Sequence, residues 1–172
     1  VGGLIGSMWL PEYDYLITDE KQTPKDNDGD FSEKLIKMPG SYVTYSPPPY
    51  KIEQHECPFN LKGFITFGSF NNIYKLSPAC CDAWASILKA VPDSQIVFKD
   101  HALGDTGTQQ LLAKLMKERG IDSDRIHILT PTQHGEHLQH IQLTDIALDP
   151  FPYTGGLWTI EAAYMGVPVI AL

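Results

Sequence analysis

The chain has 172 residues, 42 % hydrophobic and 20 % charged, the balance of one globular domain or one domain and part of another. Its net charge of -8 argues against a general nucleic-acid binder, whose affinity rests on Lys and Arg neutralising phosphates, but leaves room for a small anionic ligand. No run is long and apolar enough to span a bilayer, and the opening VGGLIGSMWL lacks the basic region and cleavage signature of a signal peptide.

The predicted elements fall into two groups. YDYLITD (13–19) reads as a strand and EKQTPKDNDGD (20–30) as a polar surface loop. FSEKLIKM (31–38) reads as a short helix, with YVTYS (42–46) extended after it. SPPPYKIEQHECPFN (46–60) is proline-rich and aperiodic, a linker. From Gly63 strands and helices alternate. FITFGSF (64–70) is a strand. Ser77 is an N-cap and Pro78 a first helical residue, and Cys81, Trp84, Ile87, Leu88 and Val91 recur at helical spacing over 78–91. Then come a strand at 95–100, a helix at 108–119 closed by Gly120, a strand at 125–130 and a short polar helix near 134–140. A strand at 145–149, a helix at 156–165 and a strand at 167–172 complete the series.

Such alternation means βαβ units in a parallel, doubly wound α/β sheet with a Rossmann-like layout, strands apolar on both faces. Ligands of these sheets sit at the carboxyl ends of the strands. There the unusual residues collect, in GSFNNIYK, TPTQHGEH and DPFPYTGG.

TGGLWTIEAA puts two glycines at a strand-to-helix junction, where helix N–H groups and the positive dipole end suit a phosphate. Glu161, in the first turn, could accept bonds from two ribose hydroxyls. A plain tight turn and a Glu complementing the dipole are the competing readings. Lys75 is a cation at the same edge, able to meet a diphosphate, and Asn72 could bond base, sugar or phosphate. A solvated Lys and an Asx-turn compete. His134, His137 and His140 lack Cys or carboxylate support at metal spacing, so no metal is expected. DNDGD (26–30) resembles the start of a calcium loop, but Lys37 stands where the closing Glu belongs. Three cysteines, Cys57, Cys80 and Cys81, give no disulfide framework and point to a reduced, cytoplasmic setting.

In this order, DYLITDEKQTP, FSEKLIKMPGSYVTYSPPP, GFITFGSFNNIYKLSP, AWASILKAVPDSQIVFK and LTDIALDPFPYTGGLWTIEAAYMGVPVI resemble family 41 of the glycosyltransferases. That family holds protein O-linked N-acetylglucosamine transferases, SPINDLY-like O-fucosyltransferases and bacterial relatives with tetratricopeptide repeats. The resemblance implies the GT-B fold, two Rossmann-like domains with a sugar nucleotide in the cleft. It makes 1–46 the tail of the first domain, 47–62 a linker and 63–172 most of the donor-binding domain. The chain then reads as an inner fragment of a larger enzyme.

By the same resemblance, Asn72 and Lys75 meet the donor, with Lys75 the catalytic cation at the diphosphate. Thr132 and His134 lie by the base with His137 nearby. Gly156, Leu157 and Trp158 offer helix N-terminal groups to the diphosphate, and Glu161 takes the ribose. Relative to the animal pattern, Asn72 stands for Gln, His134 for Lys, Gly156-Leu157-Trp158 for His-Thr-Thr and Glu161 for Asp. The implied reaction is inverting transfer of N-acetylglucosamine or a similar sugar to protein Ser/Thr hydroxyls. The donor is a UDP- or GDP-sugar, and no further cofactor is implied. GDP-fucose transfer and a non-catalytic nucleotide-binding scaffold are the alternatives. The expected partners are the nucleotide-sugar donor and an acceptor protein, with neither nucleic acid nor membrane.

Overall fold

A computed structural model describes residues 6–41 and 43–171, and the chain divides into two compact units between Ser46 and Pro47. In the smaller unit, strand β1 (Tyr15–Asp19) pairs in parallel with β2 (Lys34–Met38), Ile17 opposite Ile36. This corrects the helix expected over 31–38. EKLIKM has helix-forming composition, but pairing with β1 along its length overrides that weak preference. Its side chains alternate as a strand requires, Leu35 and Lys37 half-buried, Ile36 and Met38 exposed. The acidic loop forms an exposed 3-10 turn, Lys25–Asp30, with Lys37 Nζ 2.5 Å from Asp28 Oδ1. Residues 43–46 carry no regular element. Tyr42, in the expected extended segment, and Leu172, at the end of the expected last strand, lie outside the described residues.

The larger unit starts with a difference. The proline-rich stretch is not aperiodic throughout, because Pro58–Lys62 forms helix α1, with Pro58 at its first position. The rest follows the expected alternation, trimmed at most ends: β3 (Thr66–Ser69), α2 (Pro78–Ala90), β4 (Gln95–Lys99), α3 (Thr106–Glu118), β5 (Ile126–Leu129), α4 (His134–Ile141), β6 (Ile146–Leu148), α5 (Leu157–Tyr164) and β7 (Val169–Ile170). The Ser77 hydroxyl accepts from Cys80 N at 3.1 Å and caps α2. α3 begins earlier than its apolar pattern, since Asp105 caps it by accepting from Thr108 N at 2.8 Å. Gly120 has φ of 76°, the left-handed turn that lets the chain leave α3.

The sheet runs β5-β4-β3-β6-β7, every neighbouring pair parallel. Alternation along the strands divides the core. Phe67, Ile96, Phe98 and Leu148 pack with Trp84 and Leu88 of α2 and Leu112 and Met116 of α3. Val97 and Ala147 turn the other way, to Leu138 and Ile141 of α4 and Ala162 of α5. Helices therefore cover both faces. Each large apolar side chain buried this way contributes about 1.5–3 kcal/mol.

Candidate functional site

Strand order reverses at β3. The chain goes from β3 out to β4 and β5, then returns to β6 and β7 on the other side. The crevice beyond the carboxyl ends at such a switch point is where open parallel sheets bind ligands. The loops leaving β3 and β6 meet there.

After β3 the chain makes a 3-10 turn, Ile73–Lys75. Asn72 caps it, its Oδ1 accepting from Tyr74 N at 2.9 Å, while Asp100 at the end of β4 accepts from Ile73 N at 3.1 Å. Lys75 thereby reaches across to the β6 loop. Its Nζ donates to Thr154 O at 2.8 Å, lies 3.4 Å from Asn71 Oδ1, and sits 4.5 Å from the centre of the Tyr153 ring. Burial pushes the Lys75 pKa down, and the Asp149 charge partly restores it.

Asp149 follows β6 directly and is 4 % exposed. Both its oxygens lie 2.9 Å from Gly155 N, and Oδ1 accepts from Asn71 Nδ2 at 3.0 Å. No other side chain fits at Gly155. A Cβ there would strike the Thr159 hydroxyl and come within 2.5 Å of Asp149 Oδ1 and 3.0 Å of Trp158 Cδ1. Gly156 meets nothing within 4 Å. From Gly156 the chain enters α5, with Leu157 exposed and Trp158 buried and stacked on Phe70, centroids 5.3 Å apart. Trp158 Nε1 and the Thr159 hydroxyl find no hydrogen-bond partner among the described residues.

One turn further, buried Glu161 faces α4. Its Oε1 is 2.8 Å from His134 Nε2 and its Oε2 3.6 Å from His137 Nε2. Tyr50 OH holds His134 Nδ1 at 2.5 Å. Burial pushes the Glu161 carboxyl up, but hydrogen bonds and charge from His137 and His134 together outweigh it and leave its pKa below the usual carboxylate value. Beside this group, Lys99 at the end of β4 is only 3 % exposed and donates to Thr132 Oγ1 at 2.6 Å, with His140 Nδ1 at 2.8 Å. Burial lowers the Lys99 pKa, against the Glu136 charge. The His140 pKa is lowered by burial and then by the Lys99 charge.

The expected residues thus fall into three sets. Lys75 reaches the loop that carries Gly156, Leu157 and Trp158 onto α5. His134, His137 and Glu161 form one cluster, and Thr132 is tied to Lys99. Asn72 differs, its carbonyl oxygen being taken up by its own turn. No group of three His, Cys, Asp or Glu able to hold a metal occurs among the described residues. Sequence reading assigned no site role to Asn71, Asp149, Tyr50 or Lys99. A signal existed for two of them, since Lys99 and Asp149 are charged residues closing apolar strands at the ligand edge.

The five-stranded parallel sheet covered on both faces is a Rossmann-like layout, and its structural neighbours are GT-B glycosyltransferases. Sucrose-phosphate synthase from Thermosynechococcus elongatus shares that fold, with TM-score 0.60 and 13 % identity over 91 % of this chain and 40 % of that one. An O-GlcNAc transferase mutant from Thermobaculum terrenum superposes with TM-score 0.84 and 32 % identity, over 92 % of this chain and 30 % of that one. Residues 54–172 match the glycosyl transferase family 41 model, and the chain belongs to that family. Proteins named probable UDP-N-acetylglucosamine–peptide N-acetylglucosaminyltransferase SPINDLY are 40 % identical in Oryza sativa and 37 % identical in Arabidopsis thaliana, each over 99 % of this chain. The chain spans 18 % and 19 % of those two proteins.

Proposed function

We propose that the protein carrying this chain is an inverting glycosyltransferase moving N-acetylglucosamine from a nucleoside diphosphate to protein Ser/Thr hydroxyls. Family membership and the names of its relatives support this reading. The observation that carries it is Lys75, a half-buried ammonium at the switch point beside the Gly-Gly entry to α5. The acceptor hydroxyl oxygen bonds to the anomeric carbon and releases its proton to solvent as the bond from that carbon to the diphosphate breaks. The electron pair leaves with the nucleoside diphosphate. Lys75 and the N–H groups at Gly156, Leu157 and Trp158 meet that charge. Glu161 takes the ribose hydroxyls, with Thr132, His134 and His137 by the base and Asn72 at the donor. No metal or cofactor enters this reading. The cytoplasm suits it, with all three cysteines free, and no described helix is long and apolar enough to cross a membrane.

The test compares Lys75→Ala with Lys89→Ala, an exposed lysine on α2. Lys89→Ala should leave stability within about half a kcal/mol, and affinities are compared on folded protein. Losing the charge-assisted bond in Lys75→Ala should cost roughly 1.5–3 kcal/mol of nucleotide affinity, about ten- to a hundredfold. Titrating the full-length protein with UDP and with GDP also separates a uridine donor from GDP-fucose. Equal nucleotide affinity in the two folded variants would mean the seat has been misplaced.

A further inference from the structure

We propose that Asp149 is a positioning residue for sugar transfer. It and Lys75 hold two amide groups between them, and so fix the ammonium and the Thr154–Gly155–Gly156 loop as one preformed diphosphate seat. The inference rests on the reading of Lys75 given above.

The first amide is the backbone group joining Thr154 to Gly155. Its carbonyl accepts from Lys75 Nζ at 2.8 Å, and its N–H points at both Asp149 oxygens, each 2.9 Å away. One peptide plane is thus fixed at both ends. The second amide is the Asn71 side chain, whose Nδ2 donates to Asp149 at 3.0 Å while its Oδ1 faces Lys75 at 3.4 Å. Turning that amide over would set oxygen against carboxylate and NH₂ against ammonium, so the two charges dictate its orientation. Both amide dipoles run from the anion to the cation.

Lys75 and Asp149 make no direct ion pair; the two amides stand between them. A contact pair would tie the ammonium to the carboxylate. With amides interposed, the cation is held in place and its charge stays available to a phosphate. Gly155 belongs to the same device, because a Cβ there would stand 2.5 Å from Asp149 Oδ1 and force the carboxylate out of its seat. Asp149, at 4 % exposure, has the buried, hydrogen-bonded surroundings that hold a positioning group in place.

Charge gives a readout that simple support of the loop would not. The groups facing Lys75 are Asp149 behind the two amides, the Tyr153 ring, and the turn that Asp100 holds through Ile73 N. Burial lowers the Lys75 pKa and Asp149 opposes that fall. Neutralising Asp149 therefore makes the ammonium lose its proton at lower pH.

The experiment measures binding of UDP and GDP to the full-length protein against pH, beside Asp149→Asn and Asn71→Ala, with thermal melting to identify folded variants. In Asp149→Asn, affinity near neutral pH should fall about tenfold or more, the size of a weakened charge-assisted hydrogen bond to the nucleotide. Its alkaline limb should also move to lower pH. Asn71→Ala should lose affinity with the limb unmoved, since the Asp149 charge remains. Unchanged affinity and an unchanged limb in folded Asp149→Asn overturn the inference. Should that variant fail to fold, unchanged affinity in Asn71→Ala overturns it. Binding of neither nucleotide by the unaltered protein removes the reading of Lys75, and this inference with it.

Discussion

Two aspartates bracket β6, and they do different work. Asp145 precedes the strand, where it accepts from Thr66 N at 2.7 Å, Phe59 N at 2.8 Å and the Cys57 thiol at 2.9 Å. Its hydrogen bond is the main cause pushing the Cys57 pKa up. Nearby Gln142 accepts from His55 N at 2.7 Å and donates to Glu53 O at 2.8 Å. This end of the sheet is closed by its own chain. Asp149 follows the strand and binds a loop amide and a side-chain amide that both lead on to a cation. Two buried carboxylates in one DIALD stretch thus take roles set by which end of a parallel strand they occupy. Amino ends close the fold and carboxyl ends carry ligands.

The sharpest break of that comparison is Asp145→Ala. Three donors lose their acceptor, the Thr66 N–H among them fully buried, and the change should cost about 3 kcal/mol of stability, within the range for orphaned polar groups near a charge. The folded fraction should keep its nucleotide affinity. Denaturant unfolding and UDP titration of the same samples read the two effects separately. A loss of affinity larger than the loss of folded protein would erase the distinction between the two ends.

A smaller effect sharpens it. Gly155 and Gly156 are adjacent, yet a Cβ at Gly155 meets Asp149, Trp158 and Thr159 while one at Gly156 meets open space. Gly155→Ala should cost about 1–3 kcal/mol, as overpacking does, and should weaken nucleotide binding by displacing Asp149. Gly156→Ala, which meets open space, should cost less. Melting curves for the two variants suffice, and equal melting points would contradict the geometry.

What the sequence could and could not say follows the same physics. The parallel sheet was legible because each strand of the larger unit is apolar and each helix has a stripe or cap that marks it, as at Ser77-Pro78. β2 was not, because EKLIKM forms a strand only through its partner β1, a long-range pairing that composition does not encode. Lys75 and Glu161 could be singled out from their place at a strand end and a helix start, whereas Trp158 came only from the family resemblance. Asp149 closes an apolar strand at the ligand edge, but that place alone assigns it no role. Its role depends on Asn71 and Gly155, which only the fold brings to it. Tyr50 lay in a stretch read as a linker, and nothing in SPPPY announces that its hydroxyl meets His134.

The smallest effect concerns Glu161 and pH. Burial alone would raise its pKa, but the bonds and charges of His137 and His134 hold it below the usual carboxylate value. A group whose pKa is depressed in the folded state adds stability above its unfolded value, about 4.3 for Glu, and loses that contribution as pH falls through the folded value. Glu161 should therefore stabilise the protein at neutral pH and cease to do so in the acid range. The comparison is with Glu161→Gln, which keeps the shape and removes the titration. Denaturant midpoints of the two proteins should differ most near neutral pH and converge below about pH 4. The Asp149 device shows its signature on the alkaline side, through Lys75, and the Glu161 cluster on the acid side. Nucleotide titrations across both ranges would then assign each limb to its own end of the seat. Parallel stability curves for the protein and Glu161→Gln at every pH would show that the two histidines do not hold the carboxylate as the distances indicate.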